Sequence, residues 1–370
     1  MMPQTPAGQG GTASSFRRGL FRAMSLAAGI FIAALMLELV LRMGFLQPAF
    51  DMGGLKIVMD SRILFKIAPS CRADINARGF RGPAFSPAAR GKKRVLFMGD
   101  SFVFGVNVEE QDSMPAVLRR FLGQGYEVLN MGVQGYGPDQ SLIQLEDAAL
   151  SWEPDKVILA LYPTNDFADM EKNKLFRLDA QGGLERVSPT LTSPLFPRWR
   201  TAALFSLIKR RFMPRGETED VPDPFDPESY RKLFYSFFRD SSDRDFIDIP
   251  DSEKARDKKE LMRAVLQRFR DLLKERGIDF FVIVLPAMEN VQLPEVMAAL
   301  GIPPEKYFTN EDMAVSILKE LGIPHVNLYR LFLPRRDRTA FFDVPDGHLS
   351  REGYRYVARF LNLYVRALEP

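Results

Sequence analysis

Apolar residues follow two rhythms along this chain. Short unbroken apolar runs, each stopped by glycine or proline, stand at RVLFMG (94–99), YEVLNMG (126–132), DKVILALYP (155–163) and IDFFVIVLP (278–286). Runs of that length without polar alternation read as strands buried on both faces. Between and after them lie SMPAVLRRFLG (113–123), PDQSLIQLEDAALSW (138–152), LMRAVLQRFRDLLKERG (261–277) and REGYRYVARFLNLYVRAL (351–368). Their apolar residues recur at three and four positions, which predicts helices, the last capped by Ser350. A fifth short strand is expected at PHVNLY (324–329). Strands alternating with helices in this way predict an α/β fold, a doubly wound parallel sheet covered on both faces.

The pattern breaks twice. Residues 1–22 are polar and then basic, with Arg17, Arg18 and Arg22. The apolar stretch that follows, from Ala23 to about Leu46, holds only Glu38 and Arg42 as charges, four apart and able to pair on one helix face. It is long enough to span a hydrocarbon core of about 30 Å. Basic residues before it favour a cytoplasmic N-terminus. The expectation is an uncleaved membrane anchor at 23–46 with the rest of the chain extracytoplasmic, in the periplasm where one exists. A cleaved signal peptide is the rival, although no A-x-A pattern follows the run. Residues 47–91 read as an irregular lead-in with short strands, and 92–368 as the main domain. The second break, at about 170–255, reads as an insertion. It holds an expected hairpin over Phe176–Val187, a basic amphipathic helix at PRWRTAALFSLIKRRF (197–212), a helix near Glu228–Arg239 and acidic loops. It is either a lid over the sheet's C-terminal edge or a solvated excursion.

Composition narrows the chemistry. The 370 residues are 46% hydrophobic and 26% charged, a globular profile with a net charge of only +3. That balance, without a basic stripe interleaved with aromatics, argues against a nucleic-acid partner. One cysteine, Cys71, excludes an intrachain disulfide and any CxxC site. Two histidines make a His-rich metal site improbable, and neither cofactor nor metal is expected. His325 reads as a satisfied strand-end residue, which leaves His348 as the imidazole available for catalysis.

In an α/β sheet the C-terminal strand ends face the ligand crevice. Three strands end in polar signatures: GDSF (99–102), NMGVQGYG (130–137) and PTND (163–166). DVPDGHLS (343–350) precedes the last helix. Each has a bland reading. Ser101 alone is a helix cap as readily as a nucleophile, and Asn165–Asp166 alone is a strand-end turn. Asp100 and Asp166 read as residues that hydrogen-bond the loops around the site. Together the blocks offer what a serine nucleophile needs: a base in His348, a third group to hold its tautomer, and preformed donors for an oxyanion at the strand ends. These donors converge only if the three strands are neighbours, in the order 2-1-3.

The four blocks resemble the SGNH/GDSL hydrolases, serine esterases on a flavodoxin-like three-layer α/β/α fold, over most of residues 92–366. The resemblance places the nucleophile at Ser101, oxyanion donors at Ser101, Gly135 and Asn165, and the base at His348. Phe102 stands where the name-giving motif has Leu, and Pro163 where the third block has Gly. The fourth block is D-x-H in place of DxxH, with Pro345 at the usual aspartate position. Asp346 and Asp343 therefore both remain as the acid that orients His348. By this resemblance and the expected export, the chain is an extracytoplasmic esterase removing an O-acetyl or other short acyl group from a carbohydrate or envelope component. An O-acetyltransferase of an envelope or exported polysaccharide, and a non-catalytic carbohydrate-binding or assembly protein, are the alternatives.

Overall fold

A computed structural model describes residues 11–42, 49–52, 54–60, 62–84, 91–187, 245–292, 298, 301–343 and 347–367. The described residues fall into two compact units: one holds the helix Gly11–Arg42, the other everything from Ala49 onward. The helix, α1, exposes Phe21, Met24, Leu26, Ile30, Phe31, Ile32, Leu35, Met36, Leu37, Leu39 and Val40. Among the described residues no helix is long and apolar enough to cross a membrane.

In the second unit, β1 (Ala49–Met52), β2 (Leu55–Asp60) and β3 (Leu64–Ile67) form an antiparallel sheet. The expected short strands of the lead-in are thus present, and they join the core: Leu55, Ile57 and Leu64 are buried in the same cluster as Met98 and Leu161. The central sheet is five-stranded and wholly parallel, in the order β10-β9-β6-β4-β5. Its strands are β4 (Lys93–Met98), β5 (Tyr126–Asn130), β6 (Lys156–Leu161), β9 (Asp279–Val284) and β10 (His325–Asn327). All five sequence-predicted strands therefore form, and the first three adopt the 2-1-3 order.

Period-two alternation divides each strand between two cores. Val95 and Phe97 point to one face, with Val128, Ile158 and Ile283. There they meet α3 (Met114–Leu122) and the terminal helix α11 (Arg351–Ala367), through Val117, Leu118, Val357 and Leu361. Leu96 and Met98 point to the other face, with Leu129, Leu159 and Val282. That face is covered by α4 (Pro138–Asp147), by α7 (Glu253–Lys274) with Met262, Leu266 and Phe269, and by α9 (Thr309–Glu320) with Ile317 and Leu318. The remaining short helices are α2 (Ser101–Phe104), α5 (Asp166–Asn173), α6 (Asp245–Asp248), α8 (Met288–Gln292) and α10 (Tyr329–Phe332).

Some boundaries differ from the sequence pattern. Helix α4 ends at Asp147 because Ala148 leaves helical φ/ψ, and a 3₁₀ turn follows over Ala149–Trp152. Helix α7 begins eight residues before Leu261, where Ser252 Oγ accepts from Ala255 N–H at 3.1 Å and caps it. The hairpin expected at the start of the insertion is β7 (Phe176–Leu178) with β8 (Leu184–Arg186), turning through Gly182. Because α5 and α7 run across positions 170 and 255, the insertion is bracketed by core helices. The expected helices at 197–212 and near 228–239 lie outside the described residues.

Candidate active site

Ser101 follows β4 and opens α2. It does not cap that helix: Asp100 Oδ1 does, accepting from Phe102 N–H at 2.9 Å. The cap reading of Ser101 is thereby overturned, because the residue before it meets the orphan N–H. Freed from that duty, Ser101 Oγ lies 2.7 Å from His348 Nε2, across 247 residues of sequence.

The loop that carries His348 is a short closed turn before α11. Asp343 N–H donates to His348 O and Gly347 N–H to Asp343 O, each at 2.8 Å, and Phe342 bridges Leu349. The imidazole packs against the Phe102 ring, centroids 4.6 Å apart, and Phe102 packs on Tyr162 at the same distance. The phenylalanine that departs from the motif is thus a wall of the histidine's pocket. Asn107, which the sequence reading did not single out, ties this loop to the serine's. Its Nδ2 donates to Leu349 O at 3.0 Å and lies 3.5 Å from Asp343 Oδ2. Of the two candidate acids, Asp343 is exposed and its carboxylate faces Asn107, whereas Asp346 lies outside the described residues.

Gly135 follows β5 in an exposed turn at φ +79°, a conformation that favours glycine. Asn165 follows β6 and precedes α5, with its Oδ1 buried and without a hydrogen-bond partner among the described residues. Asp166 Oδ2 accepts from Tyr162 N–H at 2.6 Å, so Asp166 and Asp100 both brace loops, as their positions imply. The ends of β4, β5 and β6 therefore bring Ser101, Gly135 and Asn165 to one edge of the sheet, and the turn before α11 adds His348. This is a three-layer α/β/α arrangement around a parallel sheet.

No family model matches the chain, and no curated protein matches its sequence. Among solved structures it is similar to the lipase/acylhydrolase from Enterococcus faecalis, at 11% identity over 74% of this chain and 96% of that one, TM-score 0.37. It is similar also to a GDSL-like lipase from Bacteroides thetaiotaomicron (15%, 77% and 94%, TM-score 0.37). A carbohydrate acetylesterase from Sinorhizobium meliloti is a third (14%, 75% and 100%, TM-score 0.37). Identities this low say nothing about substrate.

The charge environment is set by burial. Asp100 is buried, which raises its carboxyl to about 6, while the Phe102 N–H and the charge of His348 pull the other way. Among the described residues no group of three or more His, Cys, Asp or Glu is placed to hold a metal. His325 Nδ1 sits 2.8 Å from Ile323 O, the satisfied strand-end histidine expected. Cys71 is a free thiol packed at the edge of the core.

Buried acids away from the serine make a stability prediction. Burial raises Asp139 to about 6, Asp169 to about 7 and Glu311 to about 7. An unfolded carboxyl titrates near 4. The folded protein therefore holds more protons than the unfolded chain between these values, and loses stability as pH rises through them. The melting midpoint should fall from about pH 5 to about pH 8, and Asp139→Asn with Glu311→Gln should flatten the decline. A midpoint that climbs over that interval would contradict this account.

Proposed function

We propose that this chain is a serine esterase. The observation that carries the reading is the 2.7 Å contact between Ser101 Oγ and His348 Nε2 at the C-terminal edge of a parallel sheet. A serine hydroxyl becomes nucleophilic when a base accepts its proton, and Nε2 is within reach to do so. Oγ attacks the ester carbonyl. The oxyanion is met by the N–H groups of Ser101 and Gly135 and the Asn165 amide. The imidazolium then protonates the leaving alkoxide, leaving an acyl-serine. Water, deprotonated by His348, releases the acid and restores Oγ–H. Throughout, Nδ1 must carry its proton, the role we assign to Asp346 or Asp343.

The substrate proposed is a short acyl ester, O-acetyl foremost, on a carbohydrate or envelope component. It follows from the family resemblance and the proposed location. The 370-residue chain in detergent should hydrolyse p-nitrophenyl acetate faster than long-chain esters, and a fluorophosphonate should label it. Neither turnover nor labelling in folded protein would sink the reading. An added oligosaccharide acetylated faster than acetate is released would make the enzyme a transferase, since only the acceptor in the second step differs.

We propose further that α1 anchors the enzyme in the cytoplasmic membrane. Its exposed apolar side chains occur at consecutive positions, Ile30–Phe31–Ile32 and Leu35–Met36–Leu37, and so cover every side of the helix. A helix apolar all round is at home in lipid. A reporter joined after Pro370 should be active only in the extracytoplasmic form; activity of a cytoplasmic reporter would reverse the topology.

A further inference from the structure

Helix α2 is a single turn, so the carbonyls at its end have no following helical N–H to bind. They are met from upstream in the chain. Arg81, only 5% exposed, donates from Nη1 to Phe104 O at 3.1 Å and to Gly105 O, and from Nη2 to Val108 O at 2.8 Å. Its Nε donates to Asp74 Oδ2 at 2.7 Å, and its guanidinium lies 5.0 Å from the centre of the Phe104 ring. Asp74 is held in turn by Arg72 Nε at 2.5 Å. One planar cation thus grips the far end of the turn that begins with Ser101.

The same upstream segment reaches the loop of Gly135. Tyr136 O–H donates to Phe65 O at 2.5 Å, and the two rings meet edge to face at 5.2 Å. Gln140 Nε2 donates to Ile63 O at 2.9 Å, while its Oε1 accepts from Gly137 N–H at 3.1 Å and from Asn173 Nδ2 at 2.9 Å. The residues that follow Gly135 are therefore tied to the backbone around β3.

We propose that residues 62–81 are a positioning element of the active site: Arg81 fixes the turn carrying Ser101, and the carbonyls of Ile63 and Phe65 fix the loop carrying Gly135. The inference rests on the esterase reading of those two residues. It gives the segment before the sheet a function beyond core filling. Lysine cannot replace Arg81, because a single ammonium lacks the fork that spans three carbonyls and a carboxylate. Misplacement of a reacting group by about 1 Å is enough to lower a rate about a hundredfold.

The test uses Arg81→Lys and Tyr136→Phe in the full chain, reading kcat, KM, the rate of fluorophosphonate labelling and the melting midpoint. Arg81→Lys should lower kcat and labelling rate together by about ten- to a hundredfold, with KM within about twofold, at temperatures where the protein is fully folded. Tyr136→Phe removes one hydroxyl and keeps the ring. It should lower kcat about tenfold and add to the first effect in the double variant. Should Arg81→Lys not fold, Tyr136→Phe carries the test alone. Losses that merely track the unfolded fraction, or full-rate variants of an active wild type, overturn this inference alone. A wild type with neither turnover nor labelling overturns the esterase reading and this inference with it.

Discussion

Ser101→Ala is expected to abolish ester turnover and fluorophosphonate labelling, a loss of about a thousandfold or more in kcat, with little change in melting midpoint. The two halves of this result have separate causes. Without Oγ there is no group to form the acyl intermediate, and the oxyanion donors alone leave a small residual rate. Stability is spared because the hydrogen bond of Oγ among the described residues goes to His348, and Oγ does not cap α2. Had Ser101 been the cap, alanine would cost about 1 kcal/mol. That penalty belongs instead to Asp100→Ala, which removes the acceptor of the Phe102 N–H. Calorimetry and active-site titration on the two variants separate the roles. A Ser101→Ala protein retaining a tenth of the wild-type rate would rule out Ser101 as the nucleophile.

Much of this arrangement is legible in the chain. A buried parallel strand needs apolar side chains on both faces, so β4, β5, β6 and β9 announce themselves by composition alone, and their ends mark the crevice where Ser101, Gly135 and Asn165 stand. Local pattern cannot report which of two adjacent polar residues takes a helix N–H. Asp100 and Ser101 are both good caps by type, and the geometry of the turn decides between them. The sequence is silent also on contacts made through carbonyl oxygens. Arg81 acts on the backbone of residues 104, 105 and 108, and Asn107 on the backbone of Leu349, so neither partner's side chain leaves a trace. Helix α9 does not stand out in the sequence because its first turn buries Asn310 and Glu311, polar residues that blur the apolar periodicity.

Gly132→Ala should be the most damaging substitution outside the reacting groups. The sequence shows an ordinary glycine after a strand; the fold sets it against the backbone of α2. A Cβ there would stand 2.4 Å from Phe104 N and 2.7 Å from Val103 C, so no side-chain rotation relieves the overlap. The loop cannot retreat either. Met131 N–H donates to Phe97 O at 2.8 Å, Val133 N–H to Gly99 O at 3.1 Å, and Asn130 Oδ1 holds the Gly132 N–H at 2.9 Å. The strain falls on α2, which must shift by roughly 1 Å to restore van der Waals contact and carries Ser101 with it. Overpacking of this kind costs about 1–3 kcal/mol, and displacement of the nucleophile about a hundredfold in kcat. Gly125→Ala, whose Cβ meets open space, is the neutral comparison. Gly135→Ala is the informative one: its Cβ comes no closer than 3.9 Å to Phe65, yet φ +79° strains any L-residue by about 1–2 kcal/mol. It should disturb the N–H proposed to meet the oxyanion while leaving α2 in place. Slow labelling in Gly132→Ala, alongside a normal melt for Gly125→Ala, would locate the damage at the serine. A Gly132→Ala protein with wild-type kcat and midpoint would mean that the two backbones do not touch as described.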